Sequence, residues 1–153
     1  MVAVKLPHTV TVYNVSTETD PETFEDTSRN HITVLSGVLL DATKGYNVRT
    51  SGLSTADSVT LHIPFSVHAV DGITGASRTY ADPVDFWNAQ DKSTLWTLST
   101  TGNTFFVKGN VVEPDKNSTY INTKYGEVYD VTKVDRKDFG SPRMQHFEVG
   151  GSA

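Results

Sequence analysis

Cysteine is missing altogether from the 153 residues. Its absence excludes a disulfide framework, thiolate metal sites and a cysteine nucleophile. Long apolar runs are missing too, so no stretch reads as a transmembrane helix and no membrane partner is expected. The opening Met1 to His8 has no signal-peptide apolar core, which makes a cytoplasmic product the expectation. Neither charge dominates: 13 basic against 18 acidic residues leave a net charge of −5. That balance keeps a protein soluble and gives no general phosphate-binding footprint. Alanine and leucine, the strong helix formers, supply only 8 residues each.

What fills the chain instead is β-branched. There are 21 Thr, 19 Val and 4 Ile, so 44 of 153 residues carry side chains that suit a pleated surface. The length fits one domain over residues 1–153, with room for a proper core. Period-two alternation marks a strand over Thr9 to Val15, with Val10, Val12 and Asn14 on one face and Thr11, Tyr13 and Val15 on the other. Further strands are expected over Asn30 to Leu40, bulged at Gly37, and over Asp57 to Ile63, which stops at Pro64. Thr94 to Thr100 and Asn103 to Val107 read as a hairpin about Thr101-Gly-Asn103. Glu127 to Asp135 and Arg143 to Val149 read as the last two strands. The acidic segment 18–26 around Pro21 reads as a hairpin tip. Segments 41–56 and 64–81 read as long connections, the first a loop or loosely paired hairpin. Asp82 as N-cap followed by Pro83 predicts one short helix to Gln90, and 113–126 reads as a polar connection with a single helical turn. About six to seven short strands, one short helix and long loops make a small β-barrel or sandwich.

Chemistry is sparse along the chain. His8, His31, His62, His68 and His146 are scattered, and the His62–His68 spacing across Pro64 is not that of a ligand pair, so no metal or cofactor is expected. Asp82, Asp85 and Asp91 are accounted for by helix capping and solvation. The glycines form no phosphate-binding pattern and there is no nucleophile elbow. No catalytic residues are assigned, and an enzyme ranks last. Asn14-Val-Ser16 and Asn117-Ser-Thr119 match the glycosylation pattern by chance. Trp96 is expected to pack inward, while Trp87, adjacent to Phe86 on a helix, is left for a partner.

Four segments in this order carry a resemblance: Thr55 to Pro64, Tyr80 to Phe86, Leu98 to Gly109, and Gly140-Ser-Pro-Arg-Met-Gln-His-Phe-Glu-Val-Gly-Gly151. Together with Val10 to Asn14 they resemble a family of small proteins from tailed phages and prophages of Gram-positive bacteria. Those proteins end in a Gly-Ser-Pro-His-Met-Arg-His-Trp-Lys-Val-Gly-Gly type motif. This chain departs from it with Arg143, Gln145 and Phe147 in place of His, Arg and Trp. Such proteins are similar to minor capsid or head-completion proteins. The resemblance implies a virion neck component, made in the host cytoplasm, that forms a six- or twelve-fold homo-oligomeric ring. Its implied partners are a portal or adaptor ring, tail proteins and packaged DNA held without sequence preference. A tail terminator or tail-completion protein is the alternative within the same assembly. A β-sandwich binding carbohydrate or a host surface through Trp87, Tyr46 and Tyr80 is the alternative of another class.

Within that reading, 41–56 is the candidate channel segment. It carries Lys44, Gly45, Arg49 and Gly52, and from Ala42 to Ala56 no acidic residue, so it is basic on an acidic protein. The candidate subunit or partner interface is Trp87 with Arg143, Met144, Phe147 and Val149, next to the close-approach glycines Gly150 and Gly151.

Overall fold

The computed structural model describes residues 6–49 and 52–153, with side chains described outside 43–57. Six antiparallel strands close into a barrel in the order β1-β2-β3-β9-β8-β7 and back to β1. These are β1 (His8–Thr19), β2 (Asp26–Arg49), β3 (Gly52–Pro64), β7 (Thr104–Lys108), β8 (Val128–Lys137) and β9 (His146–Ser152). Two three-stranded meanders, β1-β2-β3 and β7-β8-β9, are thus joined along two seams, β1–β7 and β3–β9. Beyond β3, the short strand β4 (His68–Asp71) continues along the same edge of β2. Closure removes the exposed edges that a sheet of this width otherwise presents.

Alternation in sequence becomes inside and outside here. Val10 and Val12 of β1, Val59, Leu61 and Ile63 of β3, Phe106 of β7, Tyr129 and Val131 of β8, and Phe147 and Val149 of β9 fill the interior. On β2 the pattern slips at Gly37. His8 pairs with Val38 but Thr9 with Ser36, so Gly37 is the extra residue of a bulge, at φ 84°. The bulge expected from the sequence is therefore present, and it keeps Leu35 and Val38 in the same interior cluster.

The opposite face of β1 is not left to water. Tyr13, Phe105, Val107 and Val128 form a second apolar layer beneath Val111 and Ile121. Ile121 belongs to α2 (Ser118–Tyr125), a second helix where the sequence reading allowed one turn. Its start is capped by Asn117, whose side-chain oxygen accepts from the Tyr120 amide at 2.9 Å, and Gly126 ends it at φ 72°. The asparagine of the second glycosylation-like triplet thus has a structural use.

Three other expectations are corrected. The 94–107 hairpin does not form: within Thr94 to Thr100 only Leu95–Trp96 is a strand (β6), and it pairs in parallel with Thr79–Tyr80 (β5), while the second arm forms as β7 and pairs with β1 and β8 instead. Segment 64–81, read as a plain connection, contains β4 and β5. α1 (Pro83–Asn88) begins where expected, but Asp82 makes no side-chain cap; its carboxylate lies 3.6 Å from the Arg136 guanidinium instead.

Candidate functional site

Three regions of the surface bear on function: the end of the barrel that is plugged, the arm at the opposite end, and the outer wall at the β3–β9 seam.

The plug is segment 95–99. Trp96 and Leu98 join the barrel's interior cluster, and Thr97 and Ser99 are buried without a strand partner. Asn14 supplies what a neighbouring strand would. Its Nδ2 donates to the Thr97 carbonyl at 2.9 Å, and its Oδ1 accepts from the Thr97 amide at 3.2 Å. The remaining Nδ2 hydrogen reaches Thr104 Oγ1 at 3.1 Å. Buried backbone groups need partners, so one side-chain amide fastens the plug to the barrel wall. Beside the plug lies a pocket of about 330 Å³ formed by Phe65, Tyr80, Trp96, Phe147 and Arg136, among others. The Arg136 guanidinium lies 5.4 Å from the Phe65 ring centre and 5.9 Å from that of Phe147. Burial raises the Tyr80 phenol, and the Asp82 carboxylate adds to that.

At the rim of this end, Arg78 is buried and donates to the Leu95 carbonyl at 2.7 Å and the Lys92 carbonyl at 3.2 Å. Its other nitrogen meets Asp71 at 2.7 Å. Burial raises the Asp71 carboxyl, but the amides of Ile73 and Thr74 and the Arg78 guanidinium outweigh it and hold the group below its usual range. His31 sits nearby, edge-on to Phe86, with Ser16 Oγ at 2.9 Å. Burial, then the charges of Arg29, Arg78 and Lys92, push its imidazole down to about 4.

The arm is the far half of the β2–β3 pair. β2 is held by β1 as far as Val38, and β9 covers β3 only from Ser58 to Pro64. Beyond that, Lys44 to Arg49 pairs with Gly52 to Asp57 in unbroken register. No third strand joins it among the described residues. Six residues per strand at about 3.4 Å each make a ribbon on the order of 20 Å long. Over residues 41–49 and 52–56 the segment is therefore a regular antiparallel ribbon, the hairpin of the two alternatives that the sequence offered. Lys44, Gly45, Arg49 and Gly52 all lie on it, the last two directly paired. Their side chains, and that of Tyr46, lie outside the described ones.

The proposed interface residues do not gather into one surface. Phe147 and Val149 are buried in the barrel, so the expectation that they present an apolar surface is corrected: alternation turns them inward. Gly151 is also interior. A Cβ there would meet Phe106 Cζ at 2.8 Å, Val59 Cγ2 at 2.9 Å and Tyr129 Cβ at 3.0 Å, so its close approach is internal. Met144 is exposed, and with Arg143 it lines a groove of about 240 Å³ on the outer wall. Trp87 is half-buried, edge-on to Phe86 at 4.8 Å, and is not among the residues that line that groove. Tyr80 packs on Trp96 and Phe147. No ring contact joins Tyr80 to Trp87 among the described residues.

Sequence reasoning missed one constellation. His62 pairs opposite Glu148 across the β3–β9 seam, and His146 is two residues along on the same face. One donor atom from each lies within 4.8 Å of the others. The histidines are 84 positions apart, since 146 − 62 = 84, so no local spacing signals them.

No curated protein and no solved structure matches the chain. A family model does match, over residues 6–152, the whole barrel and nearly the whole chain: this chain belongs to DUF6751, a family of unknown function.

Proposed function

We propose that the chain is a structural virion protein of a tailed phage, a head-to-tail connector of stopper type. In this reading the barrel is a rigid ring subunit, six or twelve copies close by head-to-tail contacts, and the ring seals the portal and docks the tail. The observation that carries it is the β2–β3 arm, taken with the resemblance of the strand and closing motifs. A two-stranded ribbon in water is marginal by itself, and among the described residues no further strand pairs with either of its outer edges. An adjoining subunit that accepts the ribbon as an added strand satisfies them. The arm is also free of acidic residues from 42 to 56 while carrying Lys44 and Arg49, which suits it to line a bore that holds DNA.

The test is a reconstruction of the filled particle. The reading expects a ring of this chain between portal and tail, with residues 41–56 reaching the axis or lying across a neighbour. A position on the outer wall, away from both, refutes the role given to the arm; a two-fold or monomeric arrangement in the particle refutes the ring. Loss of the gene separates a stopper from a tail terminator. Filled heads that leak DNA beside normal tails mark the stopper, and tails of irregular length mark the terminator.

A further inference from the structure

We propose that His62, His146 and Glu148 form a divalent transition-metal site, of zinc type, on the outer wall of the barrel at the β3–β9 seam.

The placement follows from register. His62 stands opposite Glu148, and His146 opposite Pro64, so all three side chains rise from the same outward face of two paired strands. The imidazole rings of His62 and His146 have centres 5.9 Å apart. All three residues are half-buried, dry enough to strengthen ligation and open enough to admit an ion. Two imidazoles and a carboxylate are a donor set that suits zinc, which takes three protein ligands and one open position.

A second observation points to a cation here. His146 Nδ1 lies 2.7 Å from the Met144 carbonyl oxygen, and its Nε2 lies 3.1 Å from Glu148 Oε1. Both nitrogens therefore face oxygen acceptors. A neutral imidazole has one N–H, so it satisfies one contact and turns a lone pair toward an oxygen at the other. A proton on Nε2 resolves this, and so does a metal ion. With Nδ1–H donating to the Met144 carbonyl, Nε2 is the free ligand atom, and a backbone carbonyl is the usual outer partner of a metal-bound histidine. Tetrahedral zinc with bonds of about 2.1 Å places its ligand atoms roughly 3.4 Å apart. The His146–Glu148 pair is already near that at 3.1 Å, and the His62 ligand atom, within 4.8 Å of both, closes the remainder by a side-chain shift of at most roughly 1.4 Å.

The surrounding charges divide. Across β8, Asp135 stands opposite Glu148 and is held by Lys133 at 2.9 Å, while Lys137 stands opposite His146. The groove lined by Leu6, Leu39, Arg143 and Met144 runs up to His62 and His146 and gives the open coordination position a mouth. The site spans the seam that joins the two meanders, so an ion there clips β3 to β9 and stabilises the closed barrel over the open chain.

The test uses the full chain without a histidine tag, stripped with EDTA at pH 7.5 and titrated with Zn²⁺. One ion per chain is expected. At a free zinc concentration 100 times Kd, the melting temperature should rise by roughly 5–10 °C, reversed by EDTA. His62→Gln and His146→Gln should each weaken binding by more than the roughly 10–100-fold typical of an outer-shell loss. His68→Gln, on β4, should leave it unchanged. Histidine-detected NMR of the unaltered chain guards against variants that fail to fold. Zn²⁺ should move the ring signals of His62 and His146 and leave those of His68. No stoichiometric binding, or binding that His62→Gln leaves intact, or signals that move at His68 in place of the pair, overturns the site.

Discussion

Replacing Asn14 by alanine tests how the plug is fastened. Asn14 is fully buried and is the sole side chain that meets both the amide and the carbonyl of Thr97 among the hydrogen bonds of the described residues. Alanine removes both partners and leaves two buried backbone groups of Thr97 orphaned, each at a cost of about 1–3 kcal/mol. The vacated amide leaves room on the order of one water, about 30 Å³, and a water there recovers part of the loss. The net expectation is about 2–4 kcal/mol, a large share of the ~5–15 kcal/mol that holds an ordinary domain together. Chemical denaturation followed by tryptophan fluorescence reads it well, because Trp96 belongs to the plug. A second variant separates lost bonding from lost volume. Asn14→Asp keeps the size and the acceptor for the Thr97 amide but turns an oxygen toward the Thr97 carbonyl. A carboxyl so placed has its folded pKa raised, so the variant is closest to the parent at acidic pH and loses stability as pH rises through that value. A cost below about 0.5 kcal/mol for Asn14→Ala, or an Asn14→Asp variant with no such pH trend, refutes the role given to this side chain.

Gly151→Ala should destabilise by about 1–3 kcal/mol through overpacking against Phe106, Val59 and Tyr129, whereas Gly150→Ala, whose Cβ would meet Lys133 and Thr132 no closer than 3.3 Å, should cost clearly less; equal melting temperatures for the two would contradict the interior placement. His31, with a folded value of about 4 against an ordinary 6.5, makes the unfolded chain bind more protons between those limits, so stability is full above pH 6.5 and falls as pH drops toward 4; in denaturation series over that range His31→Gln should reduce the stability lost by on the order of 2 kcal/mol, the full linkage of about 3.4 kcal/mol being lessened by the ring's partial exposure to solvent. Asp71, held low, contributes stability that is lost only at more acidic pH, and Asp71→Asn should remove that lower step. Replacing Thr43–Ser58 by a two-residue Asn-Gly turn should leave the barrel folded by circular dichroism while abolishing incorporation into particles, and Lys44→Ser with Arg49→Ser should impair DNA retention alone. Truncation at Arg143 is a poor probe of assembly, because it removes β9 and opens the barrel between β3 and β8.

The fold class and the two-faced alternation of the first strand were legible in the amino-acid sequence. β-Branched content and period-two alternation are local properties of a strand, so Val10, Val12 and Asn14 could be placed on one shared face before any partner strand was known, without saying which face is inward. Gly37 and Pro83 acted through local sterics as well, and both fell where expected. The Asn117 cap and Gly126 end of α2 were equally local and were legible in principle. Tertiary structure alone decided the rest. Whether 94–100 ladders with β7 or plugs the barrel depends on Asn14, more than eighty positions away, because a buried backbone takes whichever partner the closed barrel brings to it. The same alternation that predicts a strand over Arg143 to Val149 does not say which face is inside. Barrel closure turned Phe147 and Val149 inward and left His146 and Glu148 outward beside His62. That meeting rests on the register between β3 and β9, set by packing of the whole interior, and no spacing along the chain encodes it.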